Sequence, residues 1–191
     1  MGLQLKNRHT GETLEIRRGM RNGEMVFDLR GTLPAHRQGP PMHIHHAEDE
    51  MGVVTAGALS ADLDGRKCTI GPGETIHIPR GTPHRWWNDG DQPLAFEGCT
   101  QPAVDLDRYL QAVFEVMNAG PPNRPPLFYL AHVALRHRRT QSVLIMPRML
   151  QGVLFRIVVA LGRALGLYRG TQWPGCPARC TGASEPASEQ E

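Results

Sequence analysis

A mainly β protein with helices behind it is the fold class this sequence predicts, on three observations. The first hundred residues break into short apolar or alternating runs, each closed by a Gly, Pro, Asn or Asp cluster, the pattern of an antiparallel sandwich or barrel. Gly (21) and Pro (16) are abundant in a chain of 191 residues, which suits tight turns better than a helix bundle. From Val104 onward the apolar period lengthens from two to that of a helix. A chain of this size buries a core without disulfide or metal staples.

The strands expected in order are 14–17, 25–30, 51–55, 58–63, 67–70, 75–78, 84–87 and 94–97, with turns at Arg21-Asn22-Gly23, Asp64-Gly65, Gly71-Pro72-Gly73, Arg80-Gly81-Thr82-Pro83 and Asn88-Asp89-Gly90. Leu106, Leu110, Val113, Phe114 and Met117 then recur at helical spacing until Asn118-Ala119-Gly120-Pro121 stops them. After a proline-rich elbow, helices are expected over 127–139 and 147–167, with Pro147 suited to a first turn. Beyond Thr171 the chain is rich in Gly, Pro, Ser and Glu, without periodicity, and no fixed structure is expected there.

Charge divides the chain. Residues 1–118 carry 12 Lys or Arg against 16 Asp or Glu, whereas residues 119–184 hold nine Arg and no acid. The basic residues there are interleaved with aliphatic ones and not with aromatic stacking residues, which argues against nucleic acid. The N-terminus has no apolar stretch of signal-peptide length, and Lys6 breaks the myristoylation pattern, so a cytoplasmic protein is expected. Four cysteines (Cys68, Cys99, Cys176, Cys180) fit reduced thiols, and the Cys176/Cys180 pair lacks a second pair for a zinc site. Helix 147–167 is apolar apart from an arginine stripe, Arg148, Arg156 and Arg163. Two interior arginines, at about 2.5–3.5 kcal/mol each, weigh against a spanning helix. Packing on the barrel or on a second copy in a homodimer remains open, as does peripheral membrane contact with the stripe towards anionic headgroups.

The chemistry sits in Met42-His43-Ile44-His45-His46-Ala47-Glu48-Asp49-Glu50. In a strand His43 and His45 share a face. Glu50, at an odd offset, joins them if His46–Asp49 turns the chain. Two imidazoles and a carboxylate suit a divalent metal, and the competing reading is a surface His pair. A second segment, Gly73 to Asn88, bears on that choice. The first segment resembles the cupin motif H-x-H-x4-E-x6-G through His43, His45, Glu50 and Gly57, and the second resembles G-x5-P-x-G-x2-H-x3-N through Gly73, Pro79, Gly81, His84 and Asn88. Fifteen residues separate the motifs, and Arg37 stands where the family places a leading glycine.

The resemblance, to single-domain bacterial cupins of the quercetin dioxygenase-like kind, covers about residues 10–100. It implies a cupin double-stranded β-helix, or jelly-roll barrel, over 1–102, followed by a helix at 103–118, a helical tail at 119–170 and residues 171–191. It also implies one divalent first-row ion held by His43, His45, Glu50 and His84, with Glu50 as a proton acceptor as well. Softness leaves Fe, Mn, Ni, Co, Cu and Zn open. Strand parity adds Gly52, Val54 and Ala56 beside Glu50, with Trp86 inward and Arg85 and Trp87 outward. The candidate pocket, a roomy apolar cavity, comprises Phe27, Val54, Trp86 and Glu97; the alternatives are plain barrel core and, for Glu97, a solvated position. The function so implied is a metal-dependent enzyme, dioxygenase-like, on a small oxygen-rich or planar substrate. A metal-assisted isomerase or cyclase and a non-catalytic ligand-binding or sensor cupin are the competing readings.

Overall fold

In the computed structural model, which describes residues 2–122 and 124–177, the strands form two six-stranded sheets facing one another. The first runs β1 (Leu3–Lys6), β2 (Thr13–Arg21), β3 (Glu24–Leu33), β11 (Leu94–Gln101), β6 (Asp49–Ala56), β9 (Thr75–Ile78). The second runs β12 (Gln141–Val143), β5 (His43–His45), β10 (His84–Asn88), β7 (Leu59–Leu63), β8 (Arg66–Ile70), with β4 (Arg37–Gln38) also paired to β10. Every pairing is antiparallel. Two hairpins turn on adjacent left-handed residues, Asn22-Gly23 and Asp64-Gly65, whose twist matches the strands they join. All eight expected strands are present. The two terminal edge strands β1 and β12, and the short β4 and β5, go beyond them.

The facing sheets bury Leu33, Val54, Leu59, Ala61, Ile70 and Leu94 in one cluster. α1 (Leu106–Ala119) covers β1 to β3, with Leu106 and Phe114 packed on Leu5, Leu14, Ile16, Phe27 and Leu29. Each such side chain contributes about 1.5–3 kcal/mol of burial. The helix is the lid on an otherwise exposed apolar end.

The basic half of the chain is docked on this barrel. α2 (Leu127–Arg136) meets α1 through Ala112, Val116 and Val133, and α3 (Arg148–Ala164) meets α2 through Ala131, Phe155, Val158 and Val159. A hydrogen bond of 2.6 Å joins Nδ1 of buried His137, just past the C-terminus of α2, to the Asp105 carboxylate at the N-terminus of α1. The Asp105 carboxylate sits at the helix end that favours a negative charge. Burial raises the Asp105 carboxyl, and the hydrogen bonds from His137 and Thr140 outweigh it, so that the group lies below its usual range. β12 then pairs with β5, with Gln141 opposite His45 and Val143 opposite His43. Helices α2 and α3 end a few residues before their expected limits of 139 and 167.

Residues 171–177 correct the expectation of a structureless stretch from Thr171. Trp173 and Cys176 are buried, the Trp173 ring stacks on Tyr129 at 5.6 Å, and the Gly175 amide donates to Glu115. Large side chains embedded in a polar stretch override its composition. Residues 178–191, with Cys180, lie outside the described residues. Cys68, Cys99 and Cys176 are free thiols. Among the described residues no helix is long and apolar enough to cross a membrane.

Candidate metal centre

Three histidines and one carboxylate converge between the sheets. His43 and His45 alternate along β5 with Ile44 directed to the other face, and the antiparallel register sets His43 opposite His84 of β10. Their rings approach to 4.1 Å. The turn through His46, Ala47 and Glu48 carries the chain to the facing sheet, where Glu50 lies in β6 between Thr100 of β11 and Ile78 of β9. The polar run thus does what the odd spacing requires.

Nε2 of His43 and Nε2 of His45 are 3.1 Å apart, and Oε2 of Glu50 lies 3.6 Å from Nε2 of His45 and 3.4 Å from Nε2 of His84. The outer ring nitrogens show why. Nδ1 of His43 donates to the Pro41 carbonyl and Nδ1 of His84 to the Thr82 carbonyl, both at 2.9 Å. A carbonyl only accepts, so each Nδ1 carries a proton and, in the neutral ring, Nε2 presents its lone pair inward. Nε2 of His84 is buried with no hydrogen-bond partner, an arrangement that costs free energy unless a cation satisfies it. The three imidazoles offer ligand nitrogens all within 4.8 Å of one another. Donor set, tautomers and the unpartnered nitrogen fit a divalent ion bound by His43, His45 and His84, with Glu50 alongside.

Charge is tuned accordingly. Burial, reinforced by the neighbouring His84 and His45, lowers His43 to about 3. For His84 burial pulls downward, but the Glu50 carboxylate and the Thr82 carbonyl outweigh it and raise the group above its ordinary value. Glu50 is pushed up by burial and pulled down further by His84, His45 and His43, ending at about 2. Its side chain keeps 26% exposure, so the cluster is reachable from solvent on that side.

Residues 29–97 match the family described as Cupin domain. The chain carries a cupin domain. Among curated proteins, the oxidoreductase iacF of Pestalotiopsis fici is 38% identical over 94 residues, covering 48% of this chain and 46% of that protein. An uncharacterized protein of Methanocaldococcus jannaschii is 34% identical over 61 residues, covering 32% of this chain and 49% of that protein. The chain therefore spans about half the length of the curated relatives it matches. Among solved structures, an RmlC-like cupin from Shewanella frigidimarina superposes with a TM-score of 0.43 at 15% identity, over 52% of this chain and 83% of that one. Its two antiparallel sheets form the cupin barrel, and among the described residues three helices follow on the C-terminal side.

Within the cupin domain the candidate pocket residues separate. Val54 and Trp86 line an apolar cavity beside Glu50, together with Ile76 and Phe96. The Trp86 ring meets Phe96 edge to face at 5.2 Å. Arg85 and Trp87 are on the outer face, the guanidinium 5.2 Å over the indole. Three corrections follow. The cavity is not roomy: its volume is about 40 Å³, far below the roughly 300–1,000 Å³ of organic-ligand sites. Phe27 belongs to the cluster under α1 and not to the cavity wall, because that helix occupies the end of the barrel its ring faces. Glu97 points outward, half exposed at 50%, and pairs with Arg30 across β11 and β3. Ala56 is likewise exposed, because an irregularity in the β6–β11 register between Ala95 and Phe96 ends the parity that holds through Gly52 and Val54.

One residue near the centre carried no sequence signal. Glu48 is fully buried behind His45. Its Oε1 accepts from the Val104 amide at 3.0 Å and its Oε2 from Nε2 of Gln141 at 2.7 Å. Oε2 also lies 3.8 Å from Nδ1 of His45, which has no hydrogen-bond partner. In sequence Glu48 is one of three consecutive acids, and only the return of β12 to the barrel separates its environment from theirs.

Proposed function

We propose that the cupin domain binds one divalent first-row transition metal through His43, His45, His84 and Glu50 and acts as a dioxygenase-type oxidoreductase on a small, oxygen-rich substrate. The inward Nε2 lone pairs, fixed by the two carbonyl-bound Nδ1 protons, carry the reading. The name of the Pestalotiopsis fici relative agrees with redox chemistry.

A bound ion would supply Lewis acidity to substrate oxygen donors. The chain's own residues do the rest. Pro41 and Thr82 hold two imidazoles in one tautomer and orientation, as outer hydrogen bonds do for metal ligands generally. Glu50, ionised at neutral pH, is placed to accept a proton from a substrate hydroxyl that reaches Oε2. Val54, Ile76, Trp86 and Phe96 keep the adjacent space apolar. That space admits about two water-sized molecules, so the body of an organic substrate stays at the exposed Glu50 side while its oxygen donors enter.

The test is elemental analysis of tag-free protein, beside the His43→Ala/His84→Ala double variant, followed by oxygen uptake with catechol and flavonol probes. Near-stoichiometric metal in the wild type, none in the variant and metal-dependent oxygen uptake are expected. A wild type that cannot be loaded with any first-row ion overturns the metal site. Loaded protein that consumes a probe equally well without oxygen overturns the dioxygenase.

A further inference from the structure

We propose that the outer face of α3 is a docking surface for an anionic lipid bilayer, on which the protein lies with α3 parallel to the membrane plane.

The helix has two apolar faces and only one of them is used. Phe155, Val158 and Val159 are buried against α2. Met149, Val153, Ile157, Leu161 and Leu165 follow at intervals of four, which places them on one side, and each is more than half exposed. Ala160 and Ala164, exposed between them, are also apolar. Contiguous exposed apolar surface of this kind marks an interaction site.

Charge selects the occupant. Arg156 and Arg163 are two turns apart and therefore form one row, which borders the apolar face at Val153 and Ala160. Both are exposed, and neither forms an ion pair with an acid among the described residues. Residues 119–184 hold nine arginines and no Asp or Glu. A second copy docking through the same patch would meet the same arginines and no acid, because a two-fold interface repeats one surface on both sides. Residues 178–191 offer nothing larger than Ala, Pro and Cys as apolar cover. An anionic bilayer supplies both missing partners at one depth, acyl chains for the aliphatic face and phosphates for the arginine row. A helix of 17 residues that already packs one face on α2 lies in the interface and does not cross.

The test is flotation of the full-length, metal-loaded protein with vesicles of phosphatidylcholine plus phosphatidylglycerol and, separately, of phosphatidylcholine alone. Ile157→Glu/Leu161→Glu and Arg156→Gln/Arg163→Gln are run alongside. All four positions are exposed, so both variants should keep wild-type metal content and thermal midpoint. Expected are flotation of the wild type with the anionic vesicles only, and about a tenfold or greater loss of bound fraction in each variant. Absence of the wild type from the anionic float overturns the proposal, as does undiminished flotation of the Glu variant. So does a wild-type dimer in light scattering that leaves the vesicles unbound and that the Glu variant dissociates.

Discussion

Replacing Glu48 with alanine tests whether the basic half of the chain helps to hold the metal-ligand strand. The carboxyl group is fully buried and accepts two hydrogen bonds, from the Val104 amide that leads into α1 and from Gln141 of β12. Truncation leaves both donors without an acceptor. A buried donor so stranded costs about 1–3 kcal/mol. The Gln141 amide bears the full penalty and the part-buried Val104 amide a smaller one, giving about 2–4 kcal/mol in all. Because Gln141 is registered opposite His45, loosened pairing of β12 with β5 should also weaken metal binding. Urea denaturation of metal-free protein reads the first effect and competitive chelator titration the second. Glu97→Ala, which removes a half-exposed pair with Arg30, should change neither appreciably. A Glu48→Ala variant within about 0.5 kcal/mol of wild type, the range of an ordinary surface substitution, would refute the reasoning.

Two further outcomes are expected. Gly57 has φ of +70° and an added Cβ would meet the Pro93 carbonyl oxygen at 2.5 Å, whereas Gly23, at +83°, has no atom within 4 Å of that position. Gly57→Ala should therefore lower stability by more than the roughly 1 kcal/mol of Gly23→Ala, and equal thermal midpoints would contradict it. Metal-free protein should also lose stability in acid. His43, lowered to about 3, takes up its proton more readily when unfolded, so folding loses ground as pH falls from roughly 6.5. Raised His84 acts in the opposite sense, favouring the folded state at low pH and opposing His43 there. Glu50, lowered to about 2, adds its loss below roughly pH 4. A thermal midpoint falling most steeply below about pH 4 is expected, and a flat profile would refute the electrostatics.

The two halves of the chain differ in how much of this was legible. A period of two with turn residues between the runs is local information, so all eight expected strands were readable, one of them, 75–78, to the residue. The convergence of His43, His45 and Glu50 was readable because their alternation and offset are local, whereas His84 was added only by the resemblance of its segment to the cupin motif. Parity failed where backbone irregularity intervened. The β6–β11 register shift put Ala56 outside, and no pattern in 51–56 announces it. Glu97 similarly lies on the outer face beside Arg30, which only the pairing of β11 with β3 places there.

Local pattern alone was enough for the strands along the chain, the candidate cluster of His43, His45 and Glu50, and the switch to helices near Val104. These follow from spacing and residue chemistry along short stretches. The tertiary structure alone decided the small cavity, the covering of Phe27 by α1, the burial of Glu48 and the docking of Trp173. Each depends on which distant segment arrives: Leu106 and Phe114 over Phe27, Gln141 beside Glu48, Tyr129 under Trp173. The exposed face of α3 belongs to the same class. Its sequence is apolar nearly all round, and only packing on α2 showed which side is buried and which is left free.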